Sequence, residues 1–227
     1  MRKTIDIDQV TYDDLRAGRY EEELPELYSL KNTVEHILPF HDRQSVFDHT
    51  LGVFLAMKEL LTLDFVADEK RKDEIKKLLC EKVGRFTRRE LLLQLALLHD
   101  IAKGVTARAL PDGSRVCPKH DEVGAEMMKN FKDRFRWSDA DLCFVESMVR
   151  KHLTINDMVD AVWRSGDDVK KADAIERIKK FTGGTYVEEL LFMWADTSGL
   201  DLKRLDKKYF DLRAGVCKEL ILRGRKA

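Results

Sequence analysis

Cysteine is sparse in this chain of 227 residues: Cys80, Cys117, Cys143 and Cys217 stand far apart, with no CxxC pair. That spacing excludes a zinc ribbon and a disulfide framework. There are only four prolines, and strand-like alternation is rare, which points to an α-rich protein. Net charge is zero, because 41 basic residues cancel 41 acidic ones. A protein that coats nucleic acid or an anionic membrane by charge alone is therefore excluded, although a local basic pocket is not. Long apolar runs are absent too. The longest, 91–98, is interrupted by Gln94 and is far short of the roughly 20 residues that span a bilayer. The opening segment MRKTIDIDQVTYDD has no apolar h-region, so no secretory signal is expected and a reducing cytoplasm is the expected location.

The chain is 44% apolar, and at this length it can bury about 70–75% of its unfolded surface in one core. A single domain over 1–227 is expected, with an acidic extension at 1–25, a core over about 26–200 and a last helix near 205–223. Ser45 and Asp48 open a helix in which Val46, Leu51, Phe54, Leu55 and Met57 recur at helical spacing. The segment 68–83 reads as a solvated surface helix, since blocks of both charge signs usually coat exposed faces. Thr87 and Glu90 form a capping box ahead of a helix that is apolar almost all round. Further helices are expected at 11–16, 120–131, 138–153, 168–181, 186–197 (capped by Thr185 with Glu188) and 208–222. Between them, 105–118 loses the helical period, and Pro111-Asp112-Gly113 marks a turn of a short β-hairpin. The expected architecture is an all-α bundle of roughly eight helices with a small β-hairpin insertion.

The histidines carry the chemistry. His99 and Asp100 sit side by side at the end of the most apolar helix. Burying an imidazole against a carboxylate is costly unless both have partners, and a metal ion supplies them. Taken alone, the pair reads more readily as a core histidine with a capping aspartate. His49, His120, His152 and Asp196 shift that balance, because each falls on or beside a neighbouring apolar helix. Neutral imidazole and carboxylate suit divalent iron, manganese, nickel, cobalt or zinc, with magnesium also admissible. Lys103 follows His99 by four residues, about one helical turn, and so should face the same side.

FDHT (47–50), LLHDIAK (97–103), KHDEVGAEM (119–127), VRKHL (149–153) and WAD (194–196) stand in this order along the chain. Together they resemble the HD-domain metal-dependent phosphohydrolases, and most closely the HD domain of bacterial CCA-adding tRNA nucleotidyltransferases and poly(A) polymerases. The resemblance covers about 26–200. Ala102 stands where that pattern has glycine, and Ser45 where it often has an acidic residue. No nucleotidyltransferase head is expected in this sequence, where Asp6-Ile7-Asp8 is a lone D-x-D without a Gly-Ser loop before it.

The resemblance implies an HD-type helical bundle in which His49, His99, Asp100 and Asp196 hold a divalent metal. It also implies that His120 and His152 hold a second metal, or else bind substrate phosphate; the sequence leaves both open. Asp100 and Lys103 are the catalytic candidates, the lysine by stabilising phosphate charge. Arg108, Arg150 and Lys151 are weaker candidates for phosphate contact, and His41 is a candidate to line the pocket. The expected activity is hydrolysis of a phosphomonoester or a (cyclic) phosphodiester in a small, nucleotide-like substrate. The competing reading is a non-catalytic nucleotide- or RNA-binding regulatory module that uses the same pocket, and the zero net charge gives RNA no support.

Overall fold

The computed structural model describes residues 4–37, 40–111, 115–165 and 167–224. Two short helices come first, α1 (Tyr12–Arg16) and α2 (Pro25–Ser29), followed by a two-stranded hairpin of β1 (Val34–Ile37) and β2 (His41–Ser45). Then come α3 (Val46–Leu60), α4 (Glu69–Cys80), α5 (Arg88–Leu98) and the single turn α6 (Lys103–Thr106). A second hairpin, β3 (Arg108–Ala109) with β4 (Arg115–Val116), precedes α7 (His120–Met127), α8 (Lys132–Phe135) and the long α9 (Asp139–Arg164). The chain closes with α10 (Asp168–Thr182), α11 (Tyr186–Gly199), α12 (Leu202–Leu205) and α13 (Lys207–Arg223). The fold is an all-α helical bundle with small antiparallel β insertions, as expected. No helix among the described residues is long and apolar enough to cross a membrane.

Local chemistry sets the element boundaries. Ser45 Oγ accepts from Asp48 N at 3.0 Å and starts α3. Thr87 and Glu90 close a reciprocal capping box on α5, at 2.7 Å and 3.2 Å, satisfying donors that a helix start otherwise leaves orphaned. From Leu91 to Leu98, α5 has no exposed residue, and it packs against α3, α9 and α11. Even Gln94 is enclosed, accepting from the Trp137 indole.

Four features depart from the sequence reading. The helix expected at 138–153 runs on to Arg164, because Ile155, Val159 and Val162 extend the buried stripe of Val145, Met148 and His152. Thr185 does not cap α11; its hydroxyl donates to Thr182 O at 2.9 Å, while Glu188 turns inward to Arg88. The 34–45 hairpin has no counterpart in that reading. Finally, the acidic N-terminal stretch packs into the core through Ile5, Ile7, Val10, Leu15 and Leu24. Its Asp8 pairs with Arg89 at 2.9 Å. The hairpin expected within 105–118 is present, although Asp112 and Gly113 of its turn lie outside the described residues.

Candidate metal centre

Five helices deliver the site. His49 lies in the first turns of α3, and His99 caps the C-terminus of α5 with Asp100 in the turn that follows. His120 is the first residue of α7, entered through Lys119 at φ 57°. His152 sits within α9 and Asp196 within α11. All six are buried, with exposures of 8% or less.

Asp100 is the hinge of the arrangement. Its Oδ2 lies 3.5 Å from His49 Nε2 and 3.3 Å from His99 Nε2. Its Oδ1 lies 3.3 Å from His120 Nε2 and 3.8 Å from His152 Nε2. On the first side, Asp196 Oδ1 approaches His49 and His99 Nε2 to 3.1 Å and 3.6 Å. Two groups able to hold a divalent ion result, His49–His99–Asp100 and Asp100–His120–His152, sharing one carboxylate.

The donor set fits metal ions. His99 Nδ1 donates to Ala96 O at 3.2 Å, His120 Nδ1 to Cys117 O at 2.7 Å and His152 Nδ1 to Val149 O at 2.6 Å. Such bonds fix the ring tautomer and leave Nε2 as a lone pair. The Nε2 atoms face each other at 3.4 Å (His49 and His99) and 3.2 Å (His120 and His152); for His120 and His152, both with Nδ1–H committed to a carbonyl, that approach is repulsive unless a cation, proton or metal, sits between them. Two ligands each about 2.1 Å from one ion, at about 90–110°, stand roughly 3.0–3.4 Å apart.

The electrostatics agree. Burial alone would lower the His99 pKa, but Asp100 and Asp196 override it and lift it to about 10, so this position attracts positive charge. Burial with the neighbouring His120 and His99 presses His152 down to about 4, which keeps it a neutral donor. Despite their burial, Asp100 and Asp196 are held well below the usual carboxylate range, Asp100 by His99, Lys103 and His120 and Asp196 by His49 and His99.

Lys103 Nζ lies 3.0 Å from Asp100 Oδ2. The chain is not helical between them, but the turn over 99–102 brings the ammonium to the expected side. The same ammonium donates to Glu35 Oε2 at 2.8 Å. Glu35 comes from β1, and His41 from β2 reaches the same oxygen through Nε2 at 3.3 Å. A bulge makes this possible. Arg43, at φ 63°, is the extra residue between Gln44, paired with Glu35, and Asp42, paired with His36. The bulge puts His41 and Gln44 on one face, where Nδ1 of His41 donates to Gln44 Oε1 at 3.0 Å and Gln44 Nε2 donates to Gly199 O at 2.8 Å.

A cavity of about 240 Å³ opens over the centre, lined by Glu35, Phe40, His41, Asn156, Leu153 and Leu200 together with His49, His120, His152, both aspartates and Lys103. The structure thus brings His41, His49, His99, Asp100, Lys103, His120, His152 and Asp196 together. It does not bring in Arg108, which is exposed on β3. Arg150 and Lys151 also stay outside: the first is exposed and pairs with Glu146, and the second lies over the Phe181 ring. Successive helix residues point about 100° apart, so flanking His152 in sequence sends these two away from it. Glu35, Phe40 and Asn156 escaped the sequence reading. Only Asn156 had a readable signal, standing four residues after His152 on the same helix face.

A histidine–aspartate cluster at the heart of a helical bundle, with one aspartate shared between two groups able to hold an ion, defines a candidate divalent-metal centre. Residues 46–180, more than half of the chain, match the HD domain. The chain belongs to the HD domain family, whose members bind divalent metals and are mostly metal-dependent phosphohydrolases. No curated protein matches the sequence.

Proposed function

We propose that this protein is a metal-dependent phosphohydrolase that cleaves a phosphomonoester or a (cyclic) phosphodiester of a small, nucleotide-like substrate. The observation that carries the reading is Asp100, whose two oxygens face two separate imidazole pairs while Lys103 stands beside it at the cavity floor. His49, His99, Asp100 and Asp196 would hold one divalent ion, and Asp100, His120 and His152 a second. Bound there, the ions would supply Lewis acidity and a nucleophilic water at neutral pH.

The chain's own residues do the rest. The Nδ1–H bonds of His99, His120 and His152 to backbone carbonyls hold those rings in place before substrate arrives, so little reorganisation is needed at the reacting phosphate. The ammonium of Lys103, fixed by two carboxylates, offers positive charge where phosphate oxygens enter. Phe40, Leu153 and Leu200 line the cavity with apolar surface, and Lys103 is itself buried, so its charge is screened weakly. The Phe40 ring and the amide of Asn156, whose buried Oδ1 has no hydrogen-bond partner, suit a ring system with polar edges, as a nucleotide-like substrate has. The resemblance to the HD domain of CCA-adding enzymes supports the same substrate class.

Purified protein supplied with Mn, Ni, Co or Mg should hydrolyse at least one of p-nitrophenyl phosphate, bis-p-nitrophenyl phosphate and 2′,3′-cyclic nucleotides, and Asp100→Ala should abolish turnover. Turnover of none, with tight nucleotide binding, would replace the hydrolase with a binding module.

A further inference from the structure

Glu35 is an unusual neighbour for a phosphate site. It is 3% exposed, it lines the cavity, and its carboxylate is held by Lys103 at 2.8 Å, with His41 Nε2 3.3 Å away. Among the described residues lining the cavity, three carboxylates (Glu35, Asp100 and Asp196) face the single ammonium of Lys103. Asp100 and Asp196 stand against imidazoles that can share a cation with them. Glu35 belongs to neither ligand group, and among the described residues lining the cavity the one ammonium beside it is that of Lys103, which Asp100 also claims. A bulged hairpin fixes its backbone, and the carboxylate is itself buried, so its field is screened weakly. A phosphate entering above Lys103 meets that field. The repulsion scales with the charge on the phosphate: a diester carries one negative charge, whereas a monoester carries close to two above pH 7.

We propose that Glu35 is a specificity-determining residue, setting the charge of the phosphate that the site accepts and favouring the singly charged phosphodiester over the doubly charged phosphomonoester. This rests on the phosphohydrolase reading. Glu35→Gln removes one negative charge but keeps an oxygen to accept from Lys103. One charge acting on one extra charge across about 10 Å, at an effective dielectric near 20, is worth roughly tenfold.

The test compares metal-loaded wild type and Glu35→Gln at pH 8 on p-nitrophenyl phosphate and bis-p-nitrophenyl phosphate. Calorimetric binding of inorganic phosphate and of dimethyl phosphate is measured in parallel. Wild type should favour the diester in kcat/KM, and Glu35→Gln should shift the ratio toward the monoester by roughly tenfold, with inorganic phosphate gaining affinity over dimethyl phosphate to match. Adding Lys103→Gln to Glu35→Gln restores the sum of charges and should return the binding preference toward that of wild type.

Wild type that prefers the monoester overturns the inference without need of a variant. An unchanged ratio in a folded Glu35→Gln protein overturns it too, and leaves the phosphohydrolase reading standing. Wild type that hydrolyses neither ester removes the phosphohydrolase reading, and the binding arm still decides whether Glu35 discriminates by charge.

Discussion

Single side chains in this protein take their properties from what encloses them, and Glu189 shows this away from the metal centre. Burial lifts its pKa to about 8, with Glu188 adding to the rise and Lys151 and Thr185 opposing it. A carboxyl raised in the folded state is protonated there while the unfolded chain ionises, so folding loses stability as pH climbs from about 4.5 toward 8. At about 1.4 kcal/mol per pKa unit, that loss is a few kcal/mol at most. Glu189→Gln, neutral at every pH, should therefore gain melting temperature over wild type between pH 5 and 8.5. A difference that stays flat across that range contradicts the assignment. Residues of this kind are poorly legible in a sequence: Glu188 reads as the partner of a Thr185 cap and Glu189 carries no signal, until packing shows both turned inward. The candidate ligands were more legible: His99 and Asp100 alone read as a capped core pair, but His49, His120, His152 and Asp196 on neighbouring apolar helices tip the balance. Glu35 carried no such mark: its aim depends on the one-residue bulge at Arg43 in a strand of only five residues.

Helix contacts decide whether the ligands meet. α3 and α11 approach so closely that a Cβ on Gly199 would stand 2.5 Å from a Val53 side-chain carbon and 2.9 Å from the carbonyl oxygen of His49. Close backbone approach requires glycine here, and it sets His49 against Asp196. Gly199→Ala should force the helices apart, costing about 1–3 kcal/mol as other overpacked sites do and weakening metal binding through the displaced His49 and Asp196. Thermal unfolding together with metal titration checks this, and a variant with wild-type stability and affinity would contradict the packing account. At this scale the start of α5 and the end of α13 were readable from capping residues and periodicity. The length of α9 was readable in principle, since Ile155, Val159 and Val162 continue the stripe of Val145, Met148 and His152. Thr185 had the composition of a cap but not its geometry, because a 3₁₀ turn over Gly183–Thr185 leads into α11.

Across the whole molecule, the bundle is a device for placing imidazoles and carboxylates from distant stretches of chain around Asp100. The buried α5 carries the His99–Asp100 pair into the core, α3 and α11 supply one set of partners, and α7 and α9 supply the other. The two sets meet on opposite oxygens of one carboxylate, which a sequence cannot display because their members are interleaved along the chain from His49 to Asp196. That convergence is the central claim, and counting metal ions tests it most directly. Elemental analysis with anomalous diffraction, on protein purified without chelator, should find two divalent ions per chain in wild type. One ion should remain in His152→Ala, and none in Asp100→Ala. A wild-type protein that binds no divalent ion, or an Asp100→Ala variant that keeps both, would contradict the account.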